Sequence, residues 1–378
     1  MFPVYLKKIS IRRFKQFKDV VFDLSTTRDY SFNSDALTSD GRFVKTALIY
    51  GRNGSGKSNL GLAVMDLTLH LTDNIKDFSL YKYYINADSN IRNVEFSYEF
   101  SCGADVYRYE YIKERPEVCV AERLFVNDDP VFEVDRSKGV SRFPGAEKYG
   151  FSTLRLGNSD LSLLKYIYSN SELSDDNPIK RVMNFVLGML YFKRVDSGNG
   201  FIGLESKVDT NLFGYIVENG YLKEFESFLH ENDINETLKA SRDKDYQNIR
   251  ILFERKEQDL PINEVGSSGT LALALLFYWM KHFDKASFVF IDEFDAFYHA
   301  ELAERVYKKI KSCVKGDGLQ FVLTTHNTNL LSNRANRPDC CYIVTPESIS
   351  SLPLLTKREI REGNNVENLY LSNAFGVM

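Results

Sequence analysis

Gly51-Arg52-Asn53-Gly54-Ser55-Gly56-Lys57-Ser58 is a complete G-x-x-x-x-G-K-[ST] phosphate loop, and it decides the class of this chain. An apolar strand, Ala47-Leu48-Ile49-Tyr50, leads into it, and a helical stretch from Asn59 to Met65 leads out. The motif requires that strand–loop–helix context. Its glycines let backbone N–H groups turn inward on phosphate oxygens, and the helix N-terminus adds partial positive charge. By chance the bare pattern arises in on the order of one chain of this length in a hundred. The ligand read from it is a nucleoside triphosphate, held by Asn53, Gly54, Ser55, Gly56, Lys57, Ser58 and Asn59. Lys57 is expected to reach the β- and γ-phosphates, and the Ser58 hydroxyl to hold Mg²⁺.

A chain of 378 residues holds one large or two modest domains with ample core material. The formal charge of −4 argues against a surface built throughout to coat nucleic acid, while leaving room for a local basic groove. Five cysteines without a C-x-x-C pair point to reduced thiols and a cytoplasmic protein. Cys340-Cys341 lack the ligand spacing of a zinc site and read as core residues. The N-terminus carries no long apolar stretch of the signal-peptide kind, and the apolar run Leu271 to Met280 is too short to span a bilayer. No membrane association is expected.

Outward from the phosphate loop, Tyr5 to Ile11 and Val20 to Leu24 read as strands, and residues 25–43 as an exposed, turn-rich loop. Val94–Phe100, Val106–Ile112 and Val118–Val126 alternate with a period of two, which predicts an antiparallel meander with turns at Gly103 and Arg115-Pro116. Helical spacing then appears in Leu161, Leu164, Ile167 and Tyr168, again in Val182, Phe185, Val186 and Met189, and in Leu222, Phe225 and Leu229. From Ile249 the rhythm of an α/β core returns. The expected organisation is an N-terminal lobe over 1–154, a helical insertion over 155–248 and a C-terminal lobe over 249–378.

Ser287-Phe-Val-Phe-Ile-Asp292-Glu293 is an apolar strand ending in two carboxylates. Alone it is a weak signal. Paired with a phosphate loop it reads as a Walker B strand, with Asp292 ordering Mg²⁺ and Glu293 activating the attacking water.

Upstream, Ser267-Ser268-Gly269-Thr270 opens the Leu271–Met280 helix, and this cap resembles the signature motif of ABC-type ATPases, with Ser268 and Thr270 replacing the usual glycine and glutamine. In that family the signature of one subunit closes over the γ-phosphate held by the other, so Ser267, Ser268 and Gly269 are implied as trans ligands of ATP. Phe294-Asp295-Ala296 resembles the D-loop, and Phe321-Val-Leu-Thr-Thr-His326 resembles the strand that carries the switch histidine. Glu293 and His326 are thereby the implied catalytic pair. The resemblance implies an α/β fold: a P-loop ABC-type ATPase head with an antiparallel β meander and a helical insertion.

Ile9-Ser-Ile-Arg-Arg-Phe14-Lys-Gln-Phe17 ahead of the phosphate loop Gly51–Asn59 resembles the RecF and SMC-type branch. Asp292–His299, Thr324–Leu331 and the ending Asn364–Gly376 resemble the small ATPases of bacterial antiphage systems, the RloA, AbiL and PARIS AriA-like proteins. That likeness implies an ATP-driven homodimer or higher homo-oligomer acting on an effector, a TOPRIM-type or other nuclease. The alternative is a RecF-like ATPase binding nucleic acid through Lys7, Lys8, Arg12, Arg13, Lys15 and Lys18. One departure stands out: residues 59–246 contain no glutamine for a Q-loop, which leaves Asn86, Asn90 or an acid to substitute.

Overall fold

The computed structural model describes residues 2–72, 79–151, 161–195, 198–204, 212–242, 249–314 and 316–376. Two seven-stranded sheets hold the helix Lys57–Leu71 between them. The first sheet is antiparallel throughout, in the order Phe17–Asp23, Val4–Phe14, Val94–Cys102, Asp105–Arg115, Val118–Val126, Asp129–Asp135, Val140–Arg142. Its period-two segments place Phe96, Tyr98 and Phe100 inside and leave Glu95, Ser97 and Glu99 half-buried. The N-terminal hairpin joins the meander as an edge, with Ile9 opposite Tyr98 and Ile11 opposite Phe96.

The second sheet runs Gly198–Gly203, Met189–Val195, Phe288–Asp292, Gln320–Thr324, Thr46–Tyr50, Cys341–Val344, Ile349–Ser351. Its five inner strands are parallel and covered on both faces. Phe288 and Phe290 turn toward the Lys57–Leu71 helix, and Val289 and Ile291 toward the helices Ser268–Met280 and Ala300–Cys313. Gly61 lets the first helix lie this close: a Cβ there would stand 2.7 Å from the Phe290 ring and 2.8 Å from Tyr191. An α/β fold with a mostly parallel central sheet and an antiparallel meander is therefore the architecture.

The segment expected to be helical insertion is only partly helical. It holds helices Leu163–Asn170, Pro178–Leu187, Leu212–Glu218 and Leu222–Glu231. Between them Met189–Val195 enters the central sheet parallel to Phe288–Asp292, so Met189 is a strand residue. Strands buried on both faces lose the alternation that marks a half-buried strand, and an apolar run then mimics a helix face. Ile249–Phe253 lies outside the central sheet, in a three-stranded sheet with Leu238–Arg242 and Leu260–Pro261. Residues 25–43 also differ from expectation, because Leu37, Thr38 and Phe43 are buried. The segment is strapped down by Arg337, which donates to the carbonyls of Tyr30 (2.8 Å) and Arg28 (3.1 Å), and by Asn33, which donates to Asn333 O at 2.7 Å.

A buried polar network joins the phosphate-loop helix to the meander. Asp66 Oδ1 accepts from Lys113 Nζ and Tyr111 OH, both at 2.8 Å, and Oδ2 accepts from Tyr84 OH at 2.8 Å. Asp66 and Lys113 are almost wholly excluded from water. Breaking one side of such a pair strands the other charge, at a cost of about 3–5 kcal/mol. Lys113→Met is expected to lose about that much in urea unfolding; a loss below about 1 kcal/mol would show that the network is not the fastening described.

One turn further on, His70 Nε2 lies 2.9 Å from Tyr109 OH, which donates to Glu122 at 2.8 Å. Burial, reinforced by Lys113 and Arg136, holds the His70 pKa well below its ordinary 6.5. The unfolded chain then binds a proton that the folded chain refuses. This stability is complete above pH 6.5 and is lost as pH falls from there toward the depressed native value, at up to about 1.4 kcal/mol per pH unit. His70→Gln is expected to flatten that part of the stability–pH curve, measured by urea unfolding between pH 7 and 5; an unchanged slope would remove His70 as its source.

Candidate functional site

The carboxyl ends of the parallel strands converge on one cleft of about 370 Å³, lined by Gln16, Asn53, Gly54, Gly56, Lys57, Ser58, Asn59, Glu293 and His326. Open α/β sheets present ligand sites at this end. Thr46–Tyr50 feeds the phosphate loop, Phe288–Asp292 delivers the acids, and Gln320–Thr324, lying between them, ends two residues before His326.

Gly56 sits at the N-cap of the Lys57–Leu71 helix with φ of +109°, and a Cβ there would be 2.5 Å from the Gln16 amide and 2.8 Å from the Phe17 ring. The loop can therefore take only glycine at this point. Gln16 fastens it from the N-terminal hairpin, donating to Gly54 O at 3.2 Å and accepting from the Asn59 amide at 2.8 Å. Lys57 Nζ donates to Gly51 O (2.8 Å) and Arg52 O (3.2 Å). Its pKa is lowered, chiefly by burial, against the opposing field of Asp292, Glu293 and Asp295. The Ser55 hydroxyl is buried without a hydrogen-bond partner among the described residues. A helix N-terminus, a buried ammonium and a spare hydroxyl in a glycine-shaped loop fit a polyphosphate.

Asp292 is 1% exposed. Its Oδ1 accepts from Thr324 Oγ1 at 2.7 Å and its Oδ2 from Tyr191 OH at 3.1 Å. Burial and the Asp292 charge raise the Tyr191 pKa strongly, so the phenol remains a donor. Thr324 Oγ1 also accepts the Glu293 N–H at 2.6 Å. Glu293 has φ of +51°, a left-handed conformation uncommon for this residue type, which turns the chain sharply at the strand end. Its carboxylate reaches the cleft, and Lys193 Nζ stands 2.9 Å from its Oε1 and 3.4 Å from Asp292 Oδ2. Burial opposes the charge on Lys193, yet Asp292 and Glu293 outweigh it and the pKa is raised. The Ser58 hydroxyl and the Asp292 carboxylate are each oxygen ligands of the type Mg²⁺ takes.

His326 lines the cleft, and its pKa is lowered by burial first and by Lys57 second, with Asp295, Glu293 and Asp292 pulling the other way. A neutral imidazole can donate one N–H to a phosphate oxygen. Asp295 braces the turn that carries it, accepting from Thr325 Oγ1 at 2.6 Å and from the Asn327 N–H at 3.1 Å. Ser267 caps the Ser268–Met280 helix, accepting from Thr270 N–H at 3.1 Å. Ser267 and Ser268 are exposed, and neither they nor Gly269 line the phosphate cleft of their own chain.

Asn86 is buried under the N-terminal hairpin, where its amide donates to Lys15 O at 2.7 Å, and Asn90 is exposed. Neither lines the cleft. Thr324, Tyr191, Lys193 and Gln16 reach the site without having been singled out in the sequence. Thr324 had a signal: a hydroxyl at the end of the strand that leads to His326.

The fold and this cleft define a P-loop protein with a nucleoside-triphosphate site. The chain belongs to the family described as "AAA domain, putative AbiEii toxin, Type IV TA system", whose match spans residues 47–332. Among solved structures it is similar to the SMC head domain from Thermotoga maritima, at 18% identity, covering 92% of this chain and 98% of that one, with a TM-score of 0.42. It is likewise similar to the Smc head domain bound to the C-terminal domain of ScpA derived from Pyrococcus furiosus, at 16% identity, 93% and 97% coverage and a TM-score of 0.48. A third similar structure is the recombination mediator protein RecF with ATP, at 15% identity, 93% and 100% coverage and a TM-score of 0.39. No curated protein matches the sequence. Among the described residues no helix is long and apolar enough to cross a membrane.

Proposed function

We propose that the chain is an ATP-binding and ATP-hydrolysing switch that pairs with a second copy through composite nucleotide sites and controls a partner effector, a TOPRIM-type or other nuclease, in antiphage defence in the cytoplasm. One observation carries the reading. The phosphate loop, Glu293 and His326 line one cleft, Asp292 lies buried next to Glu293, and the signature cap at Ser267–Gly269, with Ser267 and Ser268 exposed, is not part of that lining. An exposed helix N-terminus, with its partial positive charge, suits the γ-phosphate of a neighbour.

Within one chain, the phosphate-loop N–H groups and Lys57 bind the β- and γ-phosphates. Ser58 and Asp292 hold Mg²⁺, which when bound neutralises charge on the phosphates. Glu293 accepts the proton of the attacking water, Lys193 and the Thr324 hydroxyl fix the acid pair, and the neutral His326 donates to the γ-phosphate. Each nucleotide touching two chains favours the closed dimer by mass action, and hydrolysis releases it. The toxin wording of the family description supports a defence role over repair.

The charge pattern supports this reading over a DNA clamp. Lys7 and Lys8 pair with Glu99 (3.0 and 2.6 Å), Arg12 with Asp19 (3.1 Å), Arg13 with Glu95 (2.5 Å) and Lys18 with Asp88 (3.8 Å). Lys15 donates to Lys82 O at 2.9 Å. Cations already paired with carboxylates release few counterions when a phosphate backbone approaches. Equilibrium titration with a fluorescent ATP analogue tests the proposal: saturable binding displaced by ATP is expected, and a chain that binds no nucleotide would sink it.

A further inference from the structure

Among the described residues, Lys193 is a cation paired with both acids that the proposed chemistry does not need for binding phosphate. It stands on Met189–Val195, the strand that lies on the far side of Phe288–Asp292 from the phosphate-loop strand, and its Cα is the register partner of Asp292. The position is enforced: Phe192 is buried against Trp279, with ring centroids 5.9 Å apart, and Tyr191 is bonded to Asp292, so the strand cannot slip without breaking both. From there Nζ spans the two carboxylates at 3.4 and 2.9 Å, with 23% of the side chain exposed.

We propose that Lys193 is a resident counter-cation of the Asp292–Glu293 pair, a positioning residue that would share Asp292 with the metal and lets the site accept a nucleotide that carries no metal. The proposal rests on the nucleotide-site reading above. Without Lys193, two carboxylates would face an incoming triphosphate with Lys57 as the opposing charge, and the metal would be needed to offset the repulsion. With Lys193 in place the pair is half neutralised before any ligand arrives. The same ammonium competes with the metal for Asp292 Oδ2, already shared with Tyr191. Because both effects act on one pair of groups, they form a thermodynamic cycle: the factor by which Lys193 lowers the benefit of metal equals the factor by which metal lowers the benefit of Lys193.

The experiment is equilibrium binding of a fluorescent ATP analogue to the full chain in EDTA and in Mg²⁺, for the natural protein and for Lys193→Met and Lys193→Arg. Methionine keeps the length and apolar stem, and thermal unfolding of each variant confirms that it is folded. The natural protein is expected to bind with affinities within about tenfold in the two buffers, a coupling near 1.4 kcal/mol or less. Lys193→Met is expected to widen that ratio a further tenfold or more by weakening the EDTA arm, and Lys193→Arg to keep it near the natural value. A ratio unchanged by Lys193→Met, in protein that binds nucleotide, overturns the inference and leaves the nucleotide site standing. No binding by the natural protein in either buffer overturns both. If Lys193→Met is not folded, Lys193→Gln takes its place under the same criteria.

Discussion

Replacing Lys57 with alanine is expected to lower ATP affinity by about a hundredfold or more. Each charge-assisted hydrogen bond from its ammonium to a phosphate oxygen contributes about 1.5–3 kcal/mol, and two are lost. In the nucleotide-free protein the same ammonium donates to Gly51 O and Arg52 O, carbonyls of its own loop. Alanine therefore removes a contact local to the loop, and the fold should survive. The check is titration with a fluorescent ATP analogue beside a thermal melt. Binding within a few-fold of the natural protein, in a variant with an unchanged melt, would mean that the phosphates do not sit on this loop.

The second large effect is expected at Glu293. Glu293→Gln keeps the shape of the side chain and an acceptor for Lys193 and removes the base. General-base catalysis contributes typically 10²–10⁴-fold, so phosphate release should fall by about that much. ATP affinity should not fall, because Glu293 makes no contact with the phosphate loop among the described hydrogen bonds and ion pairs and the substitution removes a negative charge beside the triphosphate site. The backbone turn at φ +51° is held by the Thr324 hydroxyl on the Glu293 N–H, which the substitution leaves alone. Phosphate release measured under saturating Mg-ATP separates the outcomes. A rate reduced less than about tenfold would place the base elsewhere.

The residues that were legible in the sequence are those whose chemistry is local. The phosphate loop is contiguous, and the glycine at position 56 is demanded by the Gln16 and Phe17 side chains packed against it. Asp292, Glu293 and His326 each end a buried apolar strand, and parallel strands align such ends by construction. Met189–Val195 escaped for the complementary reason. Met189, Leu190, Tyr191 and Phe192 are all buried, so this stretch carries no alternation, and it continues the helical spacing of Val182, Phe185 and Val186. Missing the strand meant missing Tyr191 and Lys193, whose place beside Asp292 exists only through pairing over about a hundred residues of chain. The strap over residues 25–43 was misread because its polar residues, Asn33 among them, meet carbonyls and the Arg337 guanidinium that lie some 300 positions away. Turn-like composition shows that a segment lacks ladder partners, and says nothing about side-chain partners brought in from elsewhere.

The central claim is that each nucleotide is shared between two copies of this chain. The most direct test is the light-scattering mass of Glu293→Gln with and without Mg-ATP, beside the Lys57→Ala control. A mass near that of one chain is expected without nucleotide, with a rise toward twice that mass in Mg-ATP and no rise in the control. A Glu293→Gln protein that binds ATP yet keeps the same mass would contradict the claim, since the cap at Ser267–Gly269 would then have no phosphate to close upon.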